Sequence, residues 1–275
     1  MTTLAERPAP MPSDLAGPPA GGLVRPLRHA VALAGRSLVK TARTPEALID
    51  VTVQPIIFLV LFTYIFGGAL GGGDRTAYLQ YLVPGLLGQS IALGGVSLGV
   101  NLNTDTSKGV FDRFRSLPIS RSAPLVGAVL ADVVRYLILF CCLMGFAFLI
   151  GFRVQTGPVQ LLAALGVSMA FALSFCWLSV LVGMVVRTPG AVQGFMFLLV
   201  LPLSFGSSVF VNSSTMPGWL QHFVAVNPVT HLVGVVRGLL LGGPVASDLA
   251  WTGGWIAVFL AVFVPLALRA YNRRA

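Results

Sequence analysis

The chain has 275 residues, of which 56% are hydrophobic and only 10% are charged, and its formal net charge is +9. Several apolar runs exceed the roughly 18–20 residues that a helix needs to cross a bilayer, so the composition predicts a polytopic membrane protein embedded in lipid. The spans leave no room for a soluble catalytic domain, and the positive charge then indicates membrane topology and not nucleic-acid binding.

The N-terminal part divides into a tail and an amphipathic segment. Residues 1–26 are rich in proline and show no hydrophobic periodicity, which predicts a disordered cytoplasmic tail. From residue 27 to residue 44 apolar residues recur on one helical face, which predicts a helix lying in the membrane interface and ending at Pro45. Its basic side chains lie on the opposite face: Arg28, Arg36, Lys40 and Arg43.

Six apolar segments are predicted to cross the membrane, separated by prolines, glycines or charged turns. In the second segment Gly95 and Gly99 have the spacing that lets two helices approach closely, either within the chain or at a subunit interface or pore. The predicted fold class is all-α, with one membrane domain over residues 27–275. The spans are about residues 47–70, 77–103, 124–151, 158–186, 191–211 and 250–268.

A short charged segment, residues 105–122, separates the second and third spans. Gly109 opens a run with apolar residues at helical spacing, and Pro118 ends it. A helix of about 8–9 residues is too short to span and suits docking into a groove of another protein. The alternative is a cytoplasmic loop that holds orientation by its charge. The residues singled out are Asp105, Lys108, Gly109, Phe111, Asp112, Arg113, Phe114 and Arg115.

The third span contains Asp132 and Arg135 at positions i and i+3. One ionisable group at mid-membrane costs roughly 2.5–3.5 kcal/mol on insertion scales, so the spacing predicts an ion pair, near the cytoplasmic end. A structural role and a role in transport or gating both fit. Cys141, Cys142 and Cys176 lie in apolar runs and are expected to be buried; no CxxC or HExxH spacing suggests a metal site.

Two moderately apolar stretches, residues 219–226 and 229–241, follow the fifth span. Each is too short to cross, so two short helices dipping into the outer leaflet are predicted. A further full span is the alternative, but it would place Pro228 inside a helix and Arg237 in lipid.

The distribution of basic residues determines the orientation. Six spans put both termini on one side, and the excess of Lys and Arg on that side predicts that it is the cytoplasm. The excess of arginine over lysine, with abundant alanine and glycine, is typical of a GC-rich bacterial genome. The predicted location is therefore a bacterial plasma membrane.

Short motifs occur along the chain in a fixed order: RTPE at 43–46, QPIIF at 54–58, FGG at 66–68, YLVPG at 81–85, KGVFDRFRSLPI at 108–119, MPGWL at 216–220, NPVT at 227–230 and RGL at 237–239. Together they resemble the permease subunit of type-2 ABC exporters, most closely the daunorubicin/doxorubicin-resistance permeases. The likeness covers residue 27 to the C-terminus. One departure is Ser107, where many relatives carry Glu; Asp105 lies two residues earlier.

The resemblance implies a connecting helix at 27–44, a coupling helix within 105–117 that docks on an ATPase subunit, and two re-entrant outer helices within 216–241. No GxxxxGK[ST] sequence occurs in the chain, so ATP and magnesium are expected on that partner and not here. The expected assembly has two permeases and two ATPases, and this subunit is expected to be neither an enzyme nor a cofactor protein.

The family's pathway lies at the permease dimer interface, with the second and fifth spans contributing. The cargo implied is a hydrophobic or amphipathic small molecule, such as an anthracycline-like drug, whose rings would stack on aromatic side chains. A lipid or polysaccharide precursor and, in another class, an ion-driven transporter are the alternatives. The pathway candidates, for each of which simple packing is the alternative, are Gln89, Ser90, Ser97, Gln193, Phe195, Phe197 and Phe205.

Overall fold

The computed structural model describes residues 45–109 and 123–274, and every regular element in these ranges is a helix. Three of the predicted features fall outside these ranges. They are the tail, the connecting helix with Arg28, Arg36, Lys40 and Arg43, and the part of the docking segment with Phe111, Asp112, Arg113, Phe114 and Arg115.

We number the helices in chain order. The first, α1, runs through Pro45–Leu61, a π-helical turn at Phe62–Phe66 and Gly67–Leu70. The next four are α2 (Arg75–Ser107), α3 (Ala123–Leu149), α4 (Pro158–Val185) and α5 (Pro189–Phe205). Then follow a short 3-10 turn (Ser213–Thr215), α6 (Gly218–Val226) and α7 (Pro228–Leu241). Last is α8, which comprises Ala246–Val258, a π-helical turn at Phe259–Phe263 and Val264–Arg274.

Prolines and side-chain caps define the helix starts. Asp74 caps α2 by accepting hydrogen bonds from the backbone N–H groups of Thr76 and Ala77, at 2.9 and 3.1 Å. Proline occupies the first turn of α4, α5 and α7, where its missing N–H is not needed. These local signals explain why most helix starts lie close to the predicted ones.

Within the described ranges, five helices are long and apolar enough to cross a membrane: α1 from Thr52, α2, α3, α4 and α8. The pair α6–α7 passes the same test only when taken together, and it bends by 74° at the break between its helices. The apolar helix α5 has 17 residues. These findings confirm the all-α, multi-span class.

The fifth predicted span, residues 191–211, is too long at its C-terminal end. The helix α5 ends at Phe205, Gly206 caps it, and the chain up to Asn212 has no regular structure. The helix can stop early because side chains of distant helices bind the backbone carbonyls of this irregular segment, as described below.

The 33-residue helix α2 lies at the centre of the bundle and packs against α1, α3, α4, α5 and α7. Two of its glycines, Gly95 and Gly99, meet α4 at short range. A Cβ on Gly99 would lie 2.6 Å from the carbonyl oxygen of Ser179, and one on Gly183 would lie 2.6 Å from that of Gly99. Ser179 Oγ also donates a hydrogen bond to the carbonyl of Gly95. Close packing within the chain therefore accounts for Gly95 and Gly99.

Candidate functional site

A cavity of about 270 Å³ lies between α1, α2, α3 and α5. Aliphatic side chains and one proline make up much of its wall, and among the described residues no side chain that lines it is charged. Two phenylalanine rings add aromatic faces, and amides and hydroxyls add donors and acceptors. These side chains are Phe58 and Phe197, with Gln54, Ser90, Ser97, Asn101 and Gln193. A mostly apolar wall with a few polar groups is typical of small-molecule sites.

The structure places four of the seven predicted pathway residues at this cavity: Ser90, Ser97, Gln193 and Phe197. The other three lie elsewhere. Gln89 is 1% exposed, and neither end of its amide has a hydrogen-bond partner among the described residues. Phe195 and Phe205 lie on the outer surface of the subunit, 49% and 53% exposed. Helices α1 and α3 also contribute to the wall, and none of their residues was among the predicted pathway residues.

A buried ion pair lies directly behind the cavity wall. Arg135 Nη2 is 2.9 Å from Asp132 Oδ2, and the same nitrogen donates a hydrogen bond to the carbonyl of Gly94, a residue that lines the cavity. Cys176 Sγ of α4 lies 3.9 Å from the Asp132 carboxylate and 3.5 Å from the Tyr136 hydroxyl. The pair thus compensates its own charge and joins α3 to α2 and α4.

Side chains of α2, of α7 and of its cap residue Asn227 donate hydrogen bonds to backbone carbonyls at the end of α5 and in the irregular segment that follows it. The Tyr81 hydroxyl donates to the carbonyl of Ser208 at 2.9 Å, and Arg237 Nη2 donates to the same carbonyl at 3.0 Å. The Arg237 guanidinium also lies 3.8 Å from the centre of the Tyr81 ring. Asn227 Nδ2 donates to the carbonyls of Leu203 and Gly206 at 2.7 and 2.8 Å. Sequence reasoning missed this cluster, although an isolated cation in an apolar helix was a signal for it.

His231 connects α7 to its neighbours. Its Nδ1 lies 2.9 Å from Asp248 Oδ1 of α8, and its Nε2 lies 2.9 Å from the carbonyl oxygen of Ala225 in α6. The ring stacks on Trp251 with 5.0 Å between ring centres. These contacts hold the bent pair α6–α7 against α8, and no sequence pattern predicted them.

Three of the predicted docking residues are described, and they lie at the end of α2. Asp105 belongs to the last turn, and the backbone N–H of Lys108 bonds to the carbonyl of Thr104 at 3.0 Å. Gly109 has a φ of +66°, in the left-handed region that favours glycine, and its N–H bonds to the carbonyl of Thr106. Gly109 therefore ends α2, whereas the sequence predicted only that it opens the next segment.

Two further predictions concern cysteines and metals. Cys176 is buried as expected, but within the described residues Cys141 and Cys142 are exposed on α3. An apolar span can present such side chains to lipid as well as to protein, because lipid tails are equally apolar. Within residues 45–109 and 123–274, no group of three His, Cys, Asp or Glu side chains is placed to hold a metal ion.

Comparisons with known proteins add a second line of observation. The family described as "ABC-2 type transporter" matches residues 28–241. The chain is 37% identical over 239 residues to the "Daunorubicin resistance ABC transporter permease protein DrrB1" of Streptomyces coeruleorubidus. The aligned region covers 87% of this chain and 84% of that protein. It is 28% identical over 242 residues to the "Probable doxorubicin resistance ABC transporter permease protein DrrC" of Mycobacterium tuberculosis, 86% of each chain. It is 25% identical over 212 residues to the "Putative transport permease ycf38" of Cyanophora paradoxa, 75% of this chain and 72% of that protein.

Proposed function

The chain belongs to the ABC-2 type transporter family, and from that membership we propose that it is the transmembrane permease subunit of an ATP-driven exporter. Its cargo is a hydrophobic or amphipathic small molecule of the anthracycline kind. This choice of cargo is supported by the relatives that match most of the chain, because two of them are named for daunorubicin or doxorubicin resistance.

The observation that carries the proposal is the cavity between α1, α2, α3 and α5. Its phenylalanine rings provide faces for a flat ring system or an organic cation, and its amides and hydroxyls provide hydrogen bonds without a fixed charge. Its volume of about 270 Å³ is just below the roughly 300–1,000 Å³ typical of drug-sized sites. One subunit therefore encloses only part of such a molecule, which supports a homodimer in which the second copy completes the site.

We propose a topology of six spans, α1 to α5 and α8, with both termini in the cytoplasm of a bacterium and α6–α7 as a re-entrant pair in the outer leaflet. The 74° bend of that pair supports the re-entrant form over a straight span. Arg237 supports it as well, because its guanidinium binds the carbonyls of Tyr81 and Ser208 inside the protein and does not face lipid.

ATP is hydrolysed by a separate ATPase subunit, of which the assembly contains two copies with magnesium. The absence of a GxxxxGK[ST] sequence from all 275 residues supports this division of labour. We assign the docking of the ATPase to the segment that starts at the end of α2, from Asp105 to Arg115, and a connecting role to residues 27–44.

Replacing Phe114 by aspartate tests the docking segment. We expect the amount of ATPase that co-purifies with the tagged permease to fall at least about tenfold, because burying one phenylalanine contributes about 1.5–3 kcal/mol. The measurement is a detergent pull-down of the membrane-inserted permease. Ser120→Asp is the matched control, since it adds the same charge beyond Pro118. Normal co-purification of the Phe114→Asp variant would show that this segment is not the docking element.

Replacing Phe197 by alanine tests the cavity. In proteoliposomes that contain the permease and its ATPase, doxorubicin is expected to stimulate ATP hydrolysis. The Phe197→Ala variant should raise the half-maximal drug concentration by about tenfold, because the ring loses both area and stacking. Leu162→Ala is the control, because Leu162 is exposed on α4 and does not line the cavity. Equal drug response in both variants would remove the cavity from the pathway.

The same reconstituted complex distinguishes the alternative cargo and the alternative class. Stimulation by a lipid-linked precursor but not by doxorubicin would replace the drug with a lipid or polysaccharide cargo. Failure to recover any ATPase with the folded permease, together with uptake driven by an ion gradient, would overturn the ATP-driven proposal.

A further inference from the structure

Asn103 makes a specific contact between α2 and α4, and no sequence motif predicts this contact. It is completely buried near the end of α2, and its Nδ2 donates hydrogen bonds to the carbonyls of Gly183 at 2.9 Å and Val186 at 2.7 Å. These carbonyls lie at the C-terminal end of α4, where a helix has no backbone donors left for its last C=O groups. One amide from α2 therefore caps α4 across 80 residues of sequence.

The cap belongs to a longer seam between the two helices. Gly95, Gly99 and Asn103 follow one another at intervals of four residues, so they lie on one face of α2. Each of them contacts α4: Gly95 accepts from Ser179 Oγ, Gly99 and Gly183 meet backbone to backbone, and Asn103 binds the helix end. With no side chain between the glycines and a cap at the end, α2 and α4 cannot slide without breaking several contacts.

The capped end of α4 leads directly into α5, the helix that supplies two residues of the cavity wall. Only Arg187 and Thr188 separate Val186 from α5, and Thr188 Oγ1 accepts a hydrogen bond from the N–H of Ala191 to cap that helix. Two turns of α5 then bring Gln193 and Phe197 to the cavity. The end of α2 is thus hydrogen-bonded to the end of α4, which a two-residue linker connects to the beginning of α5.

We propose that Asn103 is a positioning residue that couples the ATPase-facing end of α2 to the cavity. Its amide makes the end of α4, and with it the start of α5, follow the movement of α2. When the ATPases displace the segment after Ser107, the wall that carries Gln193 and Phe197 moves with it. This inference rests on the proposed function, because it requires an ATPase that acts on the end of α2.

The first test separates coupling from binding. In the reconstituted complex, Asn103→Leu removes the donor at similar volume, and we expect the ratio of drug-stimulated to basal ATP hydrolysis to fall by at least about fivefold. The Kd for doxorubicin, measured by its fluorescence change, should stay at the wild-type value, because Asn103 does not line the cavity. A purely structural cap would change protein yield or both quantities together.

The second test restores the link chemically and remains decisive if Asn103→Leu does not fold. Asn103→Cys and Val186→Cys are combined in a chain whose exposed Cys141 and Cys142 are replaced by serine. A short, reducible bifunctional thiosulfonate then joins the two positions. We expect a low stimulation ratio before cross-linking, recovery after it and loss again on reduction. The single Asn103→Cys variant, treated in the same way, should stay low.

The outcomes distinguish the inference from the proposed function. Absence of drug-stimulated hydrolysis in the wild-type complex would count against the proposed function itself. A responsive wild type together with an unchanged ratio in Asn103→Leu, or a ratio in the double-cysteine chain that cross-linking does not alter, would overturn the coupling role of Asn103. Recovery of the ratio on cross-linking, with an unchanged Kd, would establish it.

Discussion

Replacement of Arg135 by leucine is expected to destabilise the permease by about 3–5 kcal/mol, because it leaves the Asp132 carboxylate buried without its partner. The Asp132 side chain is only 13% exposed, and the Gly94 carbonyl loses its donor in the same change. For a chain of this size, such a loss corresponds to a fall in the unfolding temperature of about 10 °C. Thermal unfolding of the detergent-solubilised protein, followed by tryptophan fluorescence, measures it.

Two companion variants test the physical reason. Arg153→Leu removes an exposed arginine beyond the end of α3 and should change the free energy of unfolding by less than about 0.5 kcal/mol. The double variant Asp132→Leu/Arg135→Leu removes both charges, so it should recover a large part of the stability that Arg135→Leu loses. A double variant as unstable as the single one would show that packing, and not the unpaired charge, dominates at this position.

Adding one methyl group to Gly183 is expected to separate α2 from α4. The new Cβ would lie 2.6 Å from the carbonyl oxygen of Gly99 and 3.1 Å from its Cα, and both atoms belong to the backbone and cannot rotate away. Overpacking of this kind costs about 1–3 kcal/mol. We expect Gly183→Ala to lower the unfolding temperature and, because Asn103 caps the same helix end, to reduce drug-stimulated ATP hydrolysis as well.

The same helix offers a matched control. Apart from its own helix backbone, no described residue has an atom within 4 Å of where a Cβ on Gly166 would lie. Gly166→Ala should therefore leave the packing intact and gain up to about 1 kcal/mol of helix propensity. The measurement is the unfolding temperature of the two variants in the same detergent, and we expect that of Gly183→Ala to be the lower one. Equal values would contradict the close contact between α2 and α4.

Much of the fold was predictable because its helix boundaries are encoded locally. Pro158, Pro189 and Pro228 occupy the first turn of their helices, and a proline or glycine is readable without knowing the neighbours. The end of α5 was not readable in this way. It depends on Tyr81, Asn227 and Arg237, which bind carbonyls between 21 and 127 residues away in the sequence.

The predicted pathway residues lie only partly at the cavity, because they were chosen by residue type without helical phase. Gln89 and Ser90 are neighbours in sequence but point about 100° apart on α2, and only Ser90 lines the cavity. The side chains of Phe195 and Phe197 point about 200° apart on α5, and only Phe197 lines the cavity. Asn103 was missed for another reason: an asparagine in the polar last turns of α2 forms no motif, and its partners lie at the end of a helix that follows about 80 residues later in the sequence.

The short helix α5 has a consequence for the surrounding lipid. Its 17 residues span about 25 Å, whereas the hydrocarbon core of a typical bilayer is about 30 Å thick. In the proposed topology, we expect the irregular segment after α5 and local thinning of the membrane beside it to meet this hydrophobic mismatch together. A cargo dissolved in the acyl chains then meets the permease where the leaflets are thinnest, and the acyl-chain length of the host membrane becomes one of the determinants of transport.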